Sequence, residues 1–213
     1  MPPDDAASPP SNVRVGDADA ETVVPDDPSR PRPRRLSSRV AYRNPWMTVR
    51  EDQIERPSPD GTWRAGIYAV VEKPHAAAVV PWDGTCLHLV GQFRYPLGAW
   101  SWEFPQGAVH DDDVSAEQVA RDELREETGF EAGRLERLAD LAFAPGMADQ
   151  TFTAWLASEL TPGPAQPEPE EAGMIVARTV TIEEFDALID AGEIVDAATI
   201  ATWFFARRVL VVA

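Results

Sequence analysis

The chain has 213 residues, 36 of them acidic and 19 basic, which gives a formal net charge of −17 at pH 7. This balance argues against a protein held on nucleic acid or on an anionic membrane mainly by electrostatic attraction. A single cysteine, Cys86, excludes an intramolecular disulfide, and no apolar run is long enough to cross a bilayer. We therefore expect a cytoplasmic protein built from one domain with an appendage.

The first 36 residues differ in composition from the rest of the chain. They are rich in proline and in charged residues and hold few large aliphatic side chains. Such a segment cannot bury enough apolar surface to offset the entropy lost on ordering. The sequence predicts a disordered, Pro- and acid-rich tail over residues 1–36.

Strand patterns begin after this tail. Residues 37–72 carry β-forming side chains around turn chemistry at 57–61, which predicts a β-rich N-terminal subdomain. Further apolar strands are predicted at 76–82 and 86–94, the first two of a larger unit over residues 73–208. Helices interrupt the later strands, so the order of elements indicates a mixed α/β fold with several antiparallel strands.

One predicted helix carries most of the chemistry. Ser115 is a candidate N-cap, and Gly129 fits the left-handed position after the last turn. Between them, Glu123, Glu126 and Glu127 are spaced i, i+3 and i+4, which places three carboxylates on one face of an α-helix. Two interpretations stay open from spacing alone: a solvated acidic face, or a site for a hard cation such as Mg²⁺ or Mn²⁺.

The same stretch resembles the Nudix box, whose second half runs Arg-Glu-apolar-any-Glu-Glu-any-Gly-apolar. Gly107 opens the box here, and the second half reads Asp122-Glu123-Leu124-Arg125-Glu126-Glu127-Thr128-Gly129-Phe130. The resemblance implies a Nudix α/β/α sandwich with a mixed sheet, preceded by a small antiparallel β-rich subdomain. It also implies a site for Mg²⁺, with Mn²⁺ as the alternative ion, whose ligands are Gln106 (through its carbonyl), Glu123, Glu126 and Glu127.

Asp122 departs from the family pattern. The family arginine at this position orients a metal-binding glutamate through an ion pair, whereas a carboxylate there adds repulsion. Arg121 and Arg125 are neighbours in sequence, but helical geometry turns each of them about 100° away. This departure favours a second hypothesis, a Nudix module that senses nucleotides without hydrolysing them.

Other segments resemble ADP-ribose pyrophosphatases within the Nudix superfamily. The β-rich segment before the core is one, and the run into the box is another, with Gln92-Phe93-Arg94-Tyr95-Pro96 followed by Trp102-Glu103-Phe104-Pro105. The resemblance implies hydrolysis of ADP-ribose, or of a related nucleoside diphosphate derivative, to AMP and ribose 5-phosphate. It further implies a homodimer joined through residues 37–72, in which the neighbouring subunit completes the adenine pocket.

The candidate substrate-binding residues are Arg94, Trp46 and Glu103, and Trp46 or alternatively Trp100 is the candidate for stacking on an adenine. The planar fork of Arg94 suits a phosphate or a ribose, although a structural ion pair explains an arginine there equally well. The family's mobile loop corresponds to residues 161–173, where Glu171 and then Glu170 are the candidate general bases. Glu126 of the box is the alternative base.

A third hypothesis concerns the substrate. The run Phe104-Pro105-Gln106-Gly107 also occurs in Nudix hydrolases of dinucleoside polyphosphates and RNA 5′ ends. The charge of −17 and the N-terminal extension weigh against that interpretation. A substrate panel distinguishes the two hydrolases, and turnover with metal distinguishes both from the nucleotide sensor.

Overall fold

The computed structural model describes residues 27, 29–109, 113–165 and 173–210. Its strands and helices, in chain order, are β1 (Arg34–Asn44), β2 (Met47–Pro57), β3 (Trp63–Glu72), β4 (Ala76–Pro81), β5 (Leu87–Arg94), β6 (Ala99–Glu103), β7 (Gln106–Ala108), α1 (Ala116–Glu123), a π-helical turn (Leu124–Thr128), β8 (Phe130–Ala142), β9 (Thr151–Pro162), β10 (Val176–Val180), α2 (Ile182–Asp190) and α3 (Ala197–Leu210).

The N-terminal strands form a separate antiparallel sheet in the order β1-β2-β3. Strand β1 begins at Arg34, earlier than the predicted boundary at residue 37, and Arg34 pairs with Glu55 of β2 in register and through its side chain. Nearly all of β1 is exposed, while Asp52 and Ile54 are the buried positions of β2. The sheet therefore has little core of its own. Most of the predicted tail, residues 1–26 and 28, lies outside the described residues.

The main unit contains two further sheets. One has the order β7-β4-β9-β8, in which β4 and β9 run parallel and the other pairs are antiparallel. The other has the antiparallel order β10-β5-β6. This arrangement confirms the predicted mixed α/β fold with an antiparallel N-terminal sheet.

Helices cover the two faces of the main unit. Ala77 and Val79 of β4 pack with Leu124 and the α1 side, whereas Ala76 and Ala78 of the same strand pack towards α3. A larger cluster joins α2 and α3 to the sheets through Phe104, Phe185 and Trp203. The alternation along β4 follows from the two-residue period of a strand, which sends successive side chains to opposite layers. Among the described helices, none is both long and apolar enough to span a membrane.

Candidate active site

The helix that carries the glutamates begins and ends where the sequence predicts, but it changes geometry midway. The Ser115 hydroxyl accepts a hydrogen bond from the Gln118 N–H at 3.1 Å, and Gly129 has φ 78°. Between α1 and Gly129, however, residues 124–128 form a π-helical turn rather than a continuation of the α-helix. The Thr128 hydroxyl donates to the Leu124 carbonyl, the acceptor that an α-helix reserves for a main-chain N–H. The prediction of one unbroken α-helix is therefore wrong over this turn.

The wider turn places the three glutamates in unequal surroundings. Glu127 is buried, with 5% of its surface exposed. Glu126 is partly exposed and forms an ion pair with Arg125 at 3.0 Å. Glu123 lies against the backbone of Gly107, because a Cβ atom added at Gly107 would be 1.8 Å from Glu123 Oε1. The glycine that opens the box thus leaves space for the first glutamate of the helix.

Arg125 compensates in part for the unusual Asp122. Its Nη2 atom lies 2.8 Å from Asp122 Oδ1 and 3.0 Å from Glu126 Oε1. The helix therefore still pairs a box glutamate with an arginine, although ideal α-helical geometry predicted that Arg125 would point about 100° away from Asp122. The π-helical turn, which begins at Leu124, alters the angles on which that expectation rested.

Arg94 and Glu103 form a tightly bonded pair on adjacent strands. Arg94 Nε donates to Glu103 Oε1 at 2.9 Å and to Oε2 at 3.1 Å, and Nη2 also donates to Oε2. Glu103 is only 1% exposed, and it also accepts from the Gln106 side chain at 2.7 Å. Burial disfavours the charged form of Arg94, but the hydrogen bonds and charge of Glu103, with the charges of Asp196 and Glu127, raise the pKa of Arg94.

The start of α3 is joined to this pair. Asp196 Oδ2 accepts from the Thr199 N–H at 2.7 Å and from Gln106 Nε2 at 3.3 Å. The Thr199 hydroxyl accepts from the Phe104 N–H at 3.0 Å. The N-cap of α3 therefore holds the strand ends that carry Glu103 and Gln106.

These groups line a cavity of about 510 Å³. Its wall includes Arg94, Glu103, Gln106, Asp196 and Lys73. The first three were predicted from the sequence as site residues, whereas Asp196 and Lys73 were not. Two signals could have identified them: Asp196 directly precedes α3, where an aspartate is a common N-cap, and Lys73 is the one lysine of the chain.

Other predicted site residues do not line this cavity. Trp46 lies in the turn between β1 and β2 and is 64% exposed. Glu170 and Glu171, the candidate bases of the loop, lie outside the described residues. The described part of the chain thus brings together Arg94 and Glu103 beside the box helix, while Trp46 belongs to the N-terminal sheet.

The donor types near the box suit a hard divalent cation, since they are carboxylate and carbonyl oxygens in an acidic chain. Glu123 fills the space over Gly107, next in the chain to the Gln106 carbonyl. Within residues 27, 29–109, 113–165 and 173–210, no three His, Cys, Asp or Glu side chains are gathered closely enough to hold a metal ion. The oxygen donors of these residues are of the type that such an ion prefers. A complete coordination shell would also need oxygens from the main chain or from a bound substrate.

Comparisons with known proteins agree with this geometry. Residues 34–71 match the nucleoside diphosphate sugar hydrolase N-terminal domain, and residues 72–203 match the NUDIX domain. The chain is 33% identical over 171 residues to the ADP-ribose pyrophosphatase of Mycobacterium tuberculosis, covering 78% of this chain and 79% of that protein. It is 32% identical over 142 residues to the ADP-ribose pyrophosphatase of Bacillus subtilis, covering 66% and 75%.

A solved structure supports the fold. The crystal structure of an ADP compounds hydrolase superposes with a TM-score of 0.71 at 23% identity, covering 84% of this chain and 94% of that one. At 23% identity this similarity is evidence for the fold alone. The family assignment instead follows from the domain match over residues 72–203 and from the relatives of similar length. The chain belongs to the Nudix family, and it is a Nudix hydrolase similar to the ADP-ribose pyrophosphatases.

Proposed function

We propose that this protein hydrolyses the diphosphate bond of ADP-ribose, or of a related nucleoside diphosphate derivative, in a Mg²⁺-dependent reaction. The products from ADP-ribose are AMP and ribose 5-phosphate. The observation that carries the proposal is the cavity of about 510 Å³ in which the Arg94–Glu103 pair and Gln106 meet beside the box helix. The similarity to two ADP-ribose pyrophosphatases supports the choice of substrate.

The proposed ligands are Glu123, Glu126, Glu127 and the main-chain carbonyl of Gln106, distributed over two or three cations, since no three carboxylates of the described residues lie close enough to share one ion. When bound, Mg²⁺, or Mn²⁺ in its place, supplies neutralisation of the diphosphate and a bound water of lowered pKa. The surroundings of Glu127 and Glu123 hold these carboxylates in defined positions before substrate arrives. Burial fixes Glu127, and the Gly107 backbone limits the movement of Glu123.

Arg94 serves in this proposal as a positioned contact for the substrate. Glu103 engages Nε and Nη2 of the guanidinium and leaves the Nη1 end for a phosphate or ribose oxygen. Glu103 acts on substrate mainly by fixing that orientation, because its carboxylate is almost wholly buried. The two readings of Arg94, ion pair and substrate contact, are thus compatible.

The proton from the attacking water requires a general base. Glu171 and Glu170 are the first candidates by resemblance, and both lie outside the described residues. Glu126 is the candidate within the described part, partly exposed and paired with Arg125. Single Glu→Gln variants at the three positions identify the base, because its loss flattens the rise of kcat with pH.

The proposed role of Trp46 depends on a homodimer. Its side chain is 64% exposed in the turn between β1 and β2, and in a homodimer joined through residues 37–72 it would stack on the adenine in the neighbouring subunit. A cytoplasmic location also stays a prediction of the sequence.

A substrate panel tests the proposed function. The full chain is assayed with Mg²⁺ against ADP-ribose, nucleotide sugars and dinucleoside polyphosphates, and products are separated by chromatography. We expect the highest kcat/KM for ADP-ribose, with AMP as the nucleotide product. A preference for dinucleoside polyphosphates would favour the hypothesis based on Phe104-Pro105-Gln106-Gly107. Binding of ADP-ribose without turnover would favour the nucleotide sensor.

A further inference from the structure

Lys73 lines the same cavity as the Arg94–Glu103 pair, between β3 and β4. We propose that the ammonium group of Lys73 binds a phosphate oxygen of the substrate and sets the affinity of the cavity for anionic ligands. The inference deepens the proposed function and rests on it for the identity of the ligand as a nucleoside diphosphate derivative. The existence of a phosphate-binding group is tested independently below.

The charge balance of the chain makes Lys73 unusual. Acidic residues outnumber basic ones by 36 to 19, and all the other basic residues are arginines. Arginines described near the site are already paired, Arg94 with Glu103 and Arg125 with Asp122 and Glu126. Among the described residues, the Lys73 ammonium has no acidic partner, and the hydrogen bond from this residue to Asp149 is donated by its main-chain N–H.

A second cationic side chain in the cavity wall would strengthen the attraction of a diphosphate beyond what the bound cations supply. The charge of Arg94 is offset by Glu103 and is further balanced by Asp196 and Glu127. Lys73 is therefore the cation of the cavity wall whose charge no described carboxylate balances. A lysine suits this task because its ammonium is a compact charge with three donors, and lysine is a common ligand of phosphate groups.

The backbone that carries Lys73 is held in place by the loop before β9. The Lys73 N–H donates to Asp149 Oδ1 at 3.2 Å, and the Pro74 carbonyl accepts from Gln150 Nε2 at 3.1 Å. Two main-chain bonds join Val71 to the same loop, at 2.8 Å and 3.2 Å. The flexible part is thus the side chain alone, so the ammonium can reach a ligand without reordering the chain.

Chemical labelling measures directly whether a ligand covers the Lys73 ammonium, because the chain contains one lysine with which an amine reagent can react. The full-length protein with Mg²⁺ is treated by reductive methylation, alone, with inorganic pyrophosphate and with ADP-ribose, and the peptides are analysed by mass spectrometry. We expect each ligand to slow the modification of Lys73 severalfold and to leave the α-amino group unaffected. Equal rates at Lys73 with and without both ligands would overturn the inference.

Variants give a second, kinetic test. For Lys73→Gln we expect the KM for ADP-ribose to rise about tenfold, the size expected for loss of one charge-assisted hydrogen bond, with a weaker dependence of KM on salt. Lys73→Arg should restore most of the affinity because it keeps the charge. The matched control is Arg134→Gln, which removes one positive charge from an exposed ion pair with Glu136 on β8. An unchanged KM in Lys73→Gln would count against the proposal.

The two failures can be told apart. If the wild type does not hydrolyse ADP-ribose but pyrophosphate still protects Lys73, the proposed function fails and the phosphate-binding role stands. If the wild type hydrolyses ADP-ribose while Lys73 is neither protected nor required for low KM, the proposed function stands and the role of Lys73 is refuted.

Discussion

Gly107 shows how one residue can control the position of another. Its missing Cβ leaves the space that the Glu123 carboxylate occupies. For Gly107→Ala we expect the new methyl group to displace this carboxylate and to lower kcat by at least about tenfold. The change in melting temperature should be small, because the displaced atoms are the end of a flexible side chain. Steady-state kinetics and thermal unfolding together check this outcome.

A second glycine provides the control for that experiment. At Gly146 an added Cβ would meet no heavy atom within 4 Å. Gly146→Ala should therefore keep both activity and stability close to those of the wild type. Full activity in Gly107→Ala would show that the placement of Glu123 against the backbone has no part in turnover.

We expect His75 to make the stability of the protein depend on pH. Its ring nitrogens lie 2.8 Å from Thr151 Oγ1 and 3.0 Å from Thr153 Oγ1. Burial lowers the pKa of His75 below its ordinary value, against the opposing charge of Asp140 and with a further lowering by Arg137. The unfolded chain then binds the proton more readily, so stability is fully present above about pH 6.5 and declines as the pH falls towards the folded pKa.

The pH effect can be assigned to this residue by substitution. We expect the melting temperature of the wild type to fall between pH 7.5 and pH 5.5, and to fall less in His75→Gln. Glutamine can still hydrogen-bond to the threonine hydroxyls but does not titrate. Differential scanning calorimetry at matched ionic strength makes the comparison, and parallel pH dependences in the two proteins would contradict the role given to His75.

At the scale of elements, the start of α3 stabilises the fold and shapes the site. Asp196 caps the helix by accepting from the Thr199 N–H and also accepts from Gln106. Asp196→Ala should lower the free energy of unfolding by about 1 kcal/mol, the usual cost of losing an N-cap. Asp196→Asn should keep most of that stability, because asparagine caps about as well. Denaturant unfolding measures both, and equal losses in the two variants would show that the charge, rather than the cap, stabilises α3.

The elements also show where sequence reasoning succeeds. The Ser115 cap and the left-handed Gly129 were predicted, and both are present. Each depends on residues within a few positions of one another, so the local sequence contains the whole signal. The positions of the three box glutamates were predicted less well. The sequence predicted a regular α-helix, whereas residues 124–128 form a wider π-helical turn, in which the Thr128 hydroxyl donates to the Leu124 carbonyl.

The contacts that complete the cavity could not be predicted in the same way. Arg94 and Glu103 were both selected, but their pairing depends on the register of β5 against β6. Asp196 contacts Gln106 across 90 positions of the chain. Lys73 lines the same cavity, and its main chain is bonded to Asp149 in the loop before β9. Such contacts follow from topology, which periodicity and spacing in one sequence do not specify.

The whole molecule presents an apolar surface on its N-terminal sheet. Seven large side chains of this sheet and its first turn are exposed: Leu36, Val40, Tyr42, Trp46, Trp63, Ile67 and Tyr68. A sheet with this little core is stabilised by covering such a surface, and a closed two-fold pairing is the commonest way among soluble oligomers. We therefore expect a homodimer joined through residues 37–72.

Light scattering at micromolar concentration tests this assembly. Twice the chain mass of 23.4 kDa is about 47 kDa, which is the mass expected for the wild type. Ile67→Glu should shift the mass towards that of one chain, because it places a charge on the apolar surface. Ile200→Glu changes an exposed isoleucine of α3, outside this sheet, and should leave the mass unchanged. A wild-type protein that scatters as a single chain would rule out the dimer.

We propose that the box glutamates hold the cations needed to hydrolyse the diphosphate of ADP-ribose. One assay on two variants tests this most directly. AMP released from ADP-ribose at saturating Mg²⁺ is quantified for the wild type, for Glu127→Gln, and for Glu131→Gln, which changes an exposed glutamate at the start of β8. We predict that Glu127→Gln lowers kcat at least about a hundredfold with the fold intact, because the site loses a buried carboxylate that would hold a cation by which the diphosphate is neutralised. Glu131→Gln should match the wild type. Near-normal release of AMP by a folded Glu127→Gln protein would contradict the claim.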